Sequence, residues 1–325
     1  MCNNNQKQLG KYYTINNPFD LRAFRDWFNN IPDVSSLTIL EPFAGSNNIV
    51  NLMGVSNKWE CYDILPTTNL APQFQIIKRD TIKNFPIGFE IAITNPPYLA
   101  KNSATRNSLV YQGDPYDDLY KKCLEVMLLN VSYVAAIIPE SFITAGIFQE
   151  RLDAVISLTC RMFDDTECPV CLALFSKNPS PDFYVFRMDD FLGGYTKDLI
   201  WYKPIKTGRW GWKFNEPSGE IGIACVDNTK GPTIKFIHGT DIDSSRIKIS
   251  SRSLTRISGP KIKDLDVFLA KCNEYLSWYR EHTQDVFLTT FKGLRTDGLY
   301  RRRLDFDTAR AIMDVVMEHF EQNII

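Results

Sequence analysis

The chain reads as an α/β protein, with a mostly parallel sheet of seven strands, helices on both faces, and a second, C-terminal mixed α+β domain. Three observations predict this. Strand-like and helix-like segments alternate through the first half, as they do in a parallel sheet with helical crossovers. The alternation stops near Ser176, where "KNPSPD" reads as a linker. The remainder of the chain is richer in Gly, Pro and Trp and ends in two helical segments. The division falls at 180, giving domains 1–180 and 181–325, and 325 residues suit about two domains.

In chain order, "PFDLRAFRDWFNN" sets Phe19, Leu21, Phe24, Trp27 and Phe28 at near-helical spacing. "SSLTILEPF" is a buried strand and "NNIVNLMGV" a short helix. "KWECYDI", "FQIIKRD" and "FEIAITN" are the second, third and fourth strands. "YDDLYKKCLEVMLLN" is a helix with Leu119, Cys123, Val126 and Met127 on one face. "SYVAAIIP", "DAVISLTC" and "CLALFSK" complete the sheet. Beyond the linker, "GRWGWKFNEPSGE" is turn-rich and aromatic. "KDLDVFLAKCNEYLSWYREHT" and "LDFDTARAIMDVVMEHFEQN" are the closing helices.

Composition excludes more than it assigns. Hydrophobic residues make up 44% and charged residues 23%, as in ordinary globular proteins. A net charge of −1 creates no global field toward nucleic acid. Basic character is local: residues 241–263 hold six basic and two acidic side chains, and "TTFKGLRTDGLYRRRLDF" is a second basic stretch. No apolar run approaches the ~20 residues of a membrane helix. The polar start "MCNNNQKQLGKYYT" is no secretory signal, so the expectation is a cytoplasmic protein with no membrane partner. Of eight cysteines only Cys168 and Cys171 have C-x-x-C spacing, and His238, His282 and His319 lie far apart. The expectation is reduced thiols and no metal.

Ligands of open α/β sheets bind outside the carboxyl ends of the strands. The first strand ends in "EPFAGSNNIV", where Gly45 permits a tight turn and Ser46 or Asn47 is placed to cap the next helix. The second strand ends at Asp63 and the third at Asp80. One glycine falls short of a dinucleotide fingerprint, and no G-K-[ST] is present to cradle phosphates. Successive acidic strand ends favour a ligand with a ribose, an adenine amine or a positive charge. The fourth strand ends in "TNPPYLAK". Proline fixes φ and removes a donor, which leaves the Asn95 side-chain oxygen and the Pro96 carbonyl as fixed acceptors. Two acceptors can hold both hydrogens of one planar NH₂ group, with Tyr98 stacked on the plane that carries it. The same residues also read as a rigid strand-ending turn with Tyr98 as packing.

Together, "EPFAG", Asp63, Asp80 and "NPPY" at successive strand ends resemble the S-adenosylmethionine-dependent N6-adenine DNA methyltransferases. The order is that of the subgroup, as in type II restriction–modification systems, in which cofactor motifs precede the catalytic motif and target recognition comes last. The resemblance spans roughly Gln8 to Lys177. It implies a Rossmann-like methyltransferase sheet with S-adenosyl-L-methionine as cofactor. "QLGKYYT" looks like the family's amino-terminal cofactor motif, with Tyr13 and Thr14 near the methionine end. Glu41 and Pro42 would lie near the methionine ammonium, Gly45 in the turn, Asp63 and Ile64 at the ribose, and Asp80 and Thr81 at the cofactor adenine. Asn95, Pro96, Pro97 and Tyr98 would form the catalytic corner, with Asn95 also bordering the cofactor. Phe163 in "MFDDTECPVCLALFSK" would be the second aromatic, so that Tyr98 and Phe163 sandwich the target base. Two positions depart from the pattern. Asn47 or Asn48 stands where a second glycine often follows "AG", and "INNPF" replaces the proline that often follows "YYT".

The substrate so implied is double-stranded DNA with an adenine flipped from the stack. Phosphates would be neutralised by Arg246, Lys248, Arg252, Arg256, Lys261, Lys263, Lys292, Arg295, Arg301, Arg302 and Arg303. Arg209, Trp210 and Trp212 would read or wedge bases. The resemblance thus implies a monomeric, site-specific adenine methyltransferase of prokaryotic or phage origin. It would be the modification enzyme of a restriction–modification system, with a cognate endonuclease encoded nearby as partner, or equally a solitary or phage-borne methyltransferase. RNA adenine methyltransferases and protein glutamine methyltransferases carry similar N-P-P corners, and a catalytically inactive methyltransferase-like subunit stays open as a third alternative. The long segment after the catalytic part favours a DNA target-recognition domain.

Overall fold

β1 (Ile39–Glu41), β2 (Trp59–Asp63), β3 (Ile76–Lys78), β4 (Ile91–Thr94), β5 (Tyr133–Pro139), β6 (Leu152–Leu158), β7 (Val170–Phe175), β8 (Tyr184–Arg187) and β9 (Asp190–Gly194) form one sheet. Their order is β3-β2-β1-β4-β5-β7-β6-β8-β9. The computed structural model describes residues 14–67, 69–163 and 167–322. β3, β2, β1, β4 and β5 pair in parallel. β7 is inserted antiparallel between β5 and β6. This is the Rossmann-like methyltransferase sheet, and its seven strands are those read from the sequence. Two further strands extend it: β8 pairs in parallel with β6, and β9 closes the edge antiparallel to β8.

Burial explains the strand sequences. β1 and β4 are buried at every position, as is β7, and strands covered on both faces are apolar throughout rather than alternating. The edge strands differ: β3 exposes Ile77 and Lys78, and β9 exposes Asp190 and Phe191. Four helices accompany the sheet: α1 (Arg22–Asn29), α2 (Asn48–Met53), α3 (Lys101–Arg106) and α4 (Leu119–Asn130). Helix α1 buries Phe24, Trp27 and Phe28. Phe24 meets Phe19 edge-on at 5.0 Å and stacks on Phe28 at 5.7 Å. Burying one such side chain contributes about 1.5–3 kcal/mol, enough to hold so short a helix in place. On α4, Leu119, Cys123 and Met127 are buried as the periodicity requires.

The strand order reverses between β1 and β4, because the chain runs outward through β2 and β3 and then returns to the other side of β1. A crevice opens at such a switch point, beyond the carboxyl ends of the two strands. Glu41 and Asn95 stand at the two sides of it.

The chain divides into two compact units, residues 1–195 and 196–325. The first runs past the expected division at 180 because β8 and β9 belong to its sheet. The second unit is mixed α+β. β10 (Lys213–Phe214), β11 (Ile221–Ala224), β12 (Lys235–His238) and β13 (Leu254–Ser258) form an antiparallel sheet in the order β10-β13-β11-β12. β14 (Thr289–Leu294) and β15 (Tyr300–Arg303) form a two-stranded ribbon. Helices α5 (Leu265–Thr283) and α6 (Phe306–Gln322) complete it. Asp264 caps α5 by accepting from the Val267 amide at 3.1 Å.

Two buried aspartates organise this unit. Asp227 accepts a two-pronged contact from Arg280 at 3.0 and 2.8 Å, one from Arg295 at 3.3 Å, and the Thr233 and Ile234 amides at 2.8 and 3.2 Å. Burial alone would raise its pKa, but Arg280 and the two amides hold it below the usual carboxylate range. Asp314, fully buried, accepts from the Thr207 and Gly208 amides and from the Trp212 indole at 2.8 Å.

Candidate active site

One cavity gathers the strand-end residues of the first unit. It holds about 1140 Å³ of empty space, its open mouth included, and is lined from four strand ends by Glu41, Gly45, Asp63, Asp80, Asn95 and Pro97. Thr14, Ile64 and Thr81 also line it. Residues nominated one strand at a time therefore share a single space.

Glu41, at the end of β1, is 1% exposed. Its Oε1 accepts from the Thr94 hydroxyl at 2.5 Å and the Phe43 amide at 3.1 Å. Among the described residues its Oε2 is buried without a hydrogen-bond partner. Burial pushes its pKa up to about 8; the bonds from Thr94 and Phe43 pull against that, and nearby Asp63 adds to it. A half-satisfied buried carboxyl on a cavity wall is costly to keep and is suited to an incoming cation or donor.

The turn after β1 is shaped by left-handed residues. Gly45 has φ 56° and Asn47 φ 61°. Asparagine is among the few side chains that tolerate this region, so Asn47 can take the left-handed conformation this turn requires. Asn47 occupies the N-cap position of α2 but makes no side-chain cap bond. Its amide instead donates to the Asn69 side chain at 2.9 Å and the Phe74 carbonyl at 3.1 Å, which corrects the capping expectation. The Gly45 amide donates to Asp63 Oδ2 at 2.9 Å, and the Leu65 amide to Oδ1 at 2.7 Å. The Asp63 carboxylate is thus fixed by backbone on both sides. Asp80 receives Lys83 Nζ at 3.2 Å. The Thr81 hydroxyl donates to the Pro42 carbonyl at 2.9 Å, joining the loops after β1 and β3.

At the end of β4, Asn95 Nδ2 donates to Thr14 Oγ1 at 3.3 Å. Thr14 is buried, its carbonyl accepts from Asn48 Nδ2 at 3.1 Å, and it bridges to Phe163. Tyr13 lies outside the described residues. The Tyr98 hydroxyl has two acceptors in reach, Asn95 Oδ1 and the Ile137 carbonyl, the latter at 2.6 Å. Tyr98 is buried and Phe163 fully so. Their rings meet edge to face, with centroids 6.1 Å apart and planes at 70°. The expected sandwich is therefore not open in this structure, because edge-to-face rings in contact leave no slot between them.

Sequence reasoning missed part of the cavity wall. Leu99, Val110 and Gln112, which lie beyond the "NPPY" corner, line the cavity too. Gln112 and the exposed Val110 sit in a stretch with no periodicity to mark them. Asn48, at the departure from the family pattern, holds the Thr14 carbonyl. Cys168 is half-buried, and Cys171 is a fully buried free thiol.

The basic residues of the second unit divide by burial. Arg209, Arg246, Lys248, Arg252, Lys261, Lys263 and Lys292 are exposed. Arg209 lies over the half-buried Trp210 ring at 4.9 Å. Arg295 and Arg302 are buried, and Arg295 is engaged by Asp227 and Asp297. Arg256 donates to the Ile242 and Pro217 carbonyls, and Arg301 to the Asp227 carbonyl at 2.7 Å. Arg303 is half-buried. Burial corrects the expectation that Arg295 and Arg302 face phosphates. Trp212 is likewise a core residue, 4% exposed and bonded to Asp314, and does not wedge bases.

No protein-family model matches the chain, and no match to a curated protein is found. Solved structures give partial likenesses. A type I restriction–modification methyltransferase subunit from Streptococcus thermophilus aligns at 15% identity and TM-score 0.37, over 55% of this chain and 47% of that one. The type IIG restriction endonuclease BpuSI aligns at 13% and 0.39, over 55% and 27%. DrdV, solved by cryo-electron microscopy in complex with DNA, aligns at 13% and 0.44, over 57% and 28%. This chain spans under half the length of each. The fold stands on the strand order of the sheet and not on these likenesses: a Rossmann-like methyltransferase sheet, extended by two strands and followed by a mixed α+β unit.

Proposed function

We propose that the chain is a site-specific DNA N6-adenine methyltransferase using S-adenosyl-L-methionine, serving as the modification enzyme of a restriction–modification system. The observation that carries this reading is the shared cavity: acids from the ends of β1, β2 and β3 meet the Asn95–Pro97 corner in one space. The donor set fits the cofactor. Glu41 offers an unpartnered buried oxygen to an ammonium, Asp63 lone pairs to ribose hydroxyls, and Asp80 a carboxylate to an adenine amine. When bound, S-adenosylmethionine supplies a methyl group on a positively charged sulfur.

The chain's own part is to position and activate the amine. Asn95 Oδ1 and the Pro96 carbonyl accept its two hydrogens, which turns the nitrogen lone pair out of the base plane. Tyr98 carries one hydroxyl proton and has two acceptors in reach. Donating it to the Ile137 carbonyl releases Asn95 Oδ1 for the amine. Tyr98 and Phe163 must part to admit a base, so base entry is coupled to rearrangement of that pair. No nucleophilic side chain is needed: the amine nitrogen itself would take the methyl group as its bond to sulfur breaks, and would then release one hydrogen as a proton to solvent. Exposed cations of the second unit offset the unstacking cost of a few kcal/mol by neutralising phosphates.

The test offers S-adenosylmethionine labelled in its methyl group with unmethylated genomic DNA, total RNA and a protein extract in parallel. Label in DNA, released as N6-methyladenine, is the expected result. Label in RNA or protein alone would replace the substrate assignment, and cofactor binding without transfer would point to an inactive subunit.

A further inference from the structure

The second unit carries a feature that the catalytic site does not use. Residues 246–252, Arg-Ile-Lys-Ile-Ser-Ser-Arg, form a loop with Ile249 at its tip, and Ile249 is 98% exposed. A scattered exposed apolar residue is normal on a protein surface, but this one is held out by a set of hydrogen bonds. The Ser251 amide donates to the Lys248 carbonyl at 2.9 Å, closing a turn with Ile249 at its second position. The Lys248 amide donates to Ser251 Oγ at 2.9 Å. From below, the Asn215 amide group donates to the Ile249 carbonyl at 2.9 Å and the Ser251 carbonyl at 3.2 Å. The loop is thus pinned to the sheet with its apolar side chain outward.

Its neighbours define the partner. Arg246, Lys248 and Arg252 are exposed; among the described residues none of the three makes a close salt bridge, and Arg246 lies near enough to Asp243 to help lower its pKa. Beside the tip lies a cleft of about 860 Å³, its open mouth included, lined by Ile249, Arg252, Arg303 and Phe306 and also by the carboxylates Asp305 and Asp307. Among the described residues Arg303 Nε is buried without an acceptor. Phe306 stacks on Phe214 at 4.5 Å, and Arg310 lies over the same Phe214 ring at 4.9 Å. Exposed cations suit phosphates, an unfilled guanidinium donor suits an acceptor, and a rigid apolar tip suits the gap between bases.

We infer that this loop is a wedge-bearing clamp for duplex DNA, in which Arg246, Lys248 and Arg252 hold the backbone while Ile249 enters the base stack. The inference rests on the DNA reading above and assigns it a further contact. Side chains of this type unstack a base step and kink the duplex.

The full-length protein is incubated, without S-adenosylmethionine, with relaxed closed-circular plasmid and topoisomerase I, and the topoisomers are then resolved. In parallel, duplex affinity is measured across salt. Wild type is expected to bind and untwist the plasmid. Ile249→Ala is expected to bind within a few-fold and lose the untwisting, and Ile249→Leu to restore it. Replacing Arg246, Lys248 and Arg252 together by alanine is expected to flatten the slope of log affinity against log salt by about 2.7, at about 0.9 per phosphate contact. Untwisting by Ile249→Ala equal to wild type, or duplex binding by wild type without untwisting, overturns the wedge and leaves the DNA reading standing. No duplex binding by wild type overturns both.

Discussion

Replacing Glu41 by glutamine should make the ligand-free protein more stable and the cofactor site worse. The carboxyl is buried on the cavity wall with one oxygen unpartnered, and its pKa is pushed up from 4.5 to about 8. A group whose folded pKa is raised contributes stability that is complete below its unfolded pKa and is lost as pH rises through the folded pKa. At pH 7 the folded protein holds a proton that the unfolded chain has released. The cost is about 1.36 kcal/mol for each pH unit above 4.5, hence about 3 kcal/mol. Glutamine resembles the protonated form, keeps an acceptor for Thr94 and Phe43, and removes this cost. For a unit of 195 residues, a gain of about 3 kcal/mol raises the melting temperature by roughly 6–12 °C. Differential scanning calorimetry across pH is the assay, and the gain should fade as pH falls toward about 4.5. The stabilisation that S-adenosylmethionine confers on wild type should shrink in Glu41→Gln, because an ammonium then faces a neutral amide. A variant no more stable than wild type at pH 7, or a gain independent of pH, would refute the reasoning.

Four further outcomes concern the second unit and the catalytic corner. Asp227→Asn removes the charge that Arg280 and Arg295 share, and breaking a buried pair costs about 3–5 kcal/mol; urea unfolding should show it, and a loss under about 1 kcal/mol would contradict the network. Trp212→Phe deletes the indole donor to Asp314 and should cost about 1–3 kcal/mol in the same assay, without altering the salt dependence of DNA binding. Lys261→Ala with Lys263→Ala should flatten that salt dependence by about 1.8, whereas Arg295→Ala should lower stability instead. Tyr98→Phe removes the hydroxyl that reaches Asn95 Oδ1; S-adenosylmethionine affinity by calorimetry should change less than about twofold, since the ring and the cavity acids remain.

Much of the first unit is legible in the sequence because its local rules agree. Seven strands announce themselves as short apolar runs, and four end in Glu41, Asp63, Asp80 and Asn95, where a polar group breaks the run. Acids and amides at strand ends stand out against buried strands, so the strand-end part of the cavity wall can be read without the fold, whereas Leu99, Val110 and Gln112 cannot. β8 and β9 escape such a reading because "KNPSPD" looks like a terminus of the sheet, although "DFYVFRMDDFLGGY" alternates around a turn. Helix α3, "KNSATR", is polar and short and has no apolar period to find. The second unit misleads for a different reason. A basic run looks the same whether it faces solvent or a buried acid. Arg295 finds Asp227 68 positions upstream, and Trp212 finds Asp314 102 positions downstream. Pairings at that separation depend on the tertiary fold and leave no local trace. The closed Tyr98–Phe163 pair is illegible for the same reason, since two rings distant in sequence can bracket a base or touch each other.

The most direct measurement incubates the protein with unmethylated genomic DNA and S-adenosylmethionine and maps modified bases by single-molecule sequencing, with Asn95→Ala in parallel. The account predicts N6-methyladenine confined to one short sequence motif and absent with Asn95→Ala, while that variant still binds S-adenosylmethionine. Methylation that survives Asn95→Ala would contradict the catalytic corner, and no modified DNA from a wild-type protein that binds the cofactor would contradict the substrate.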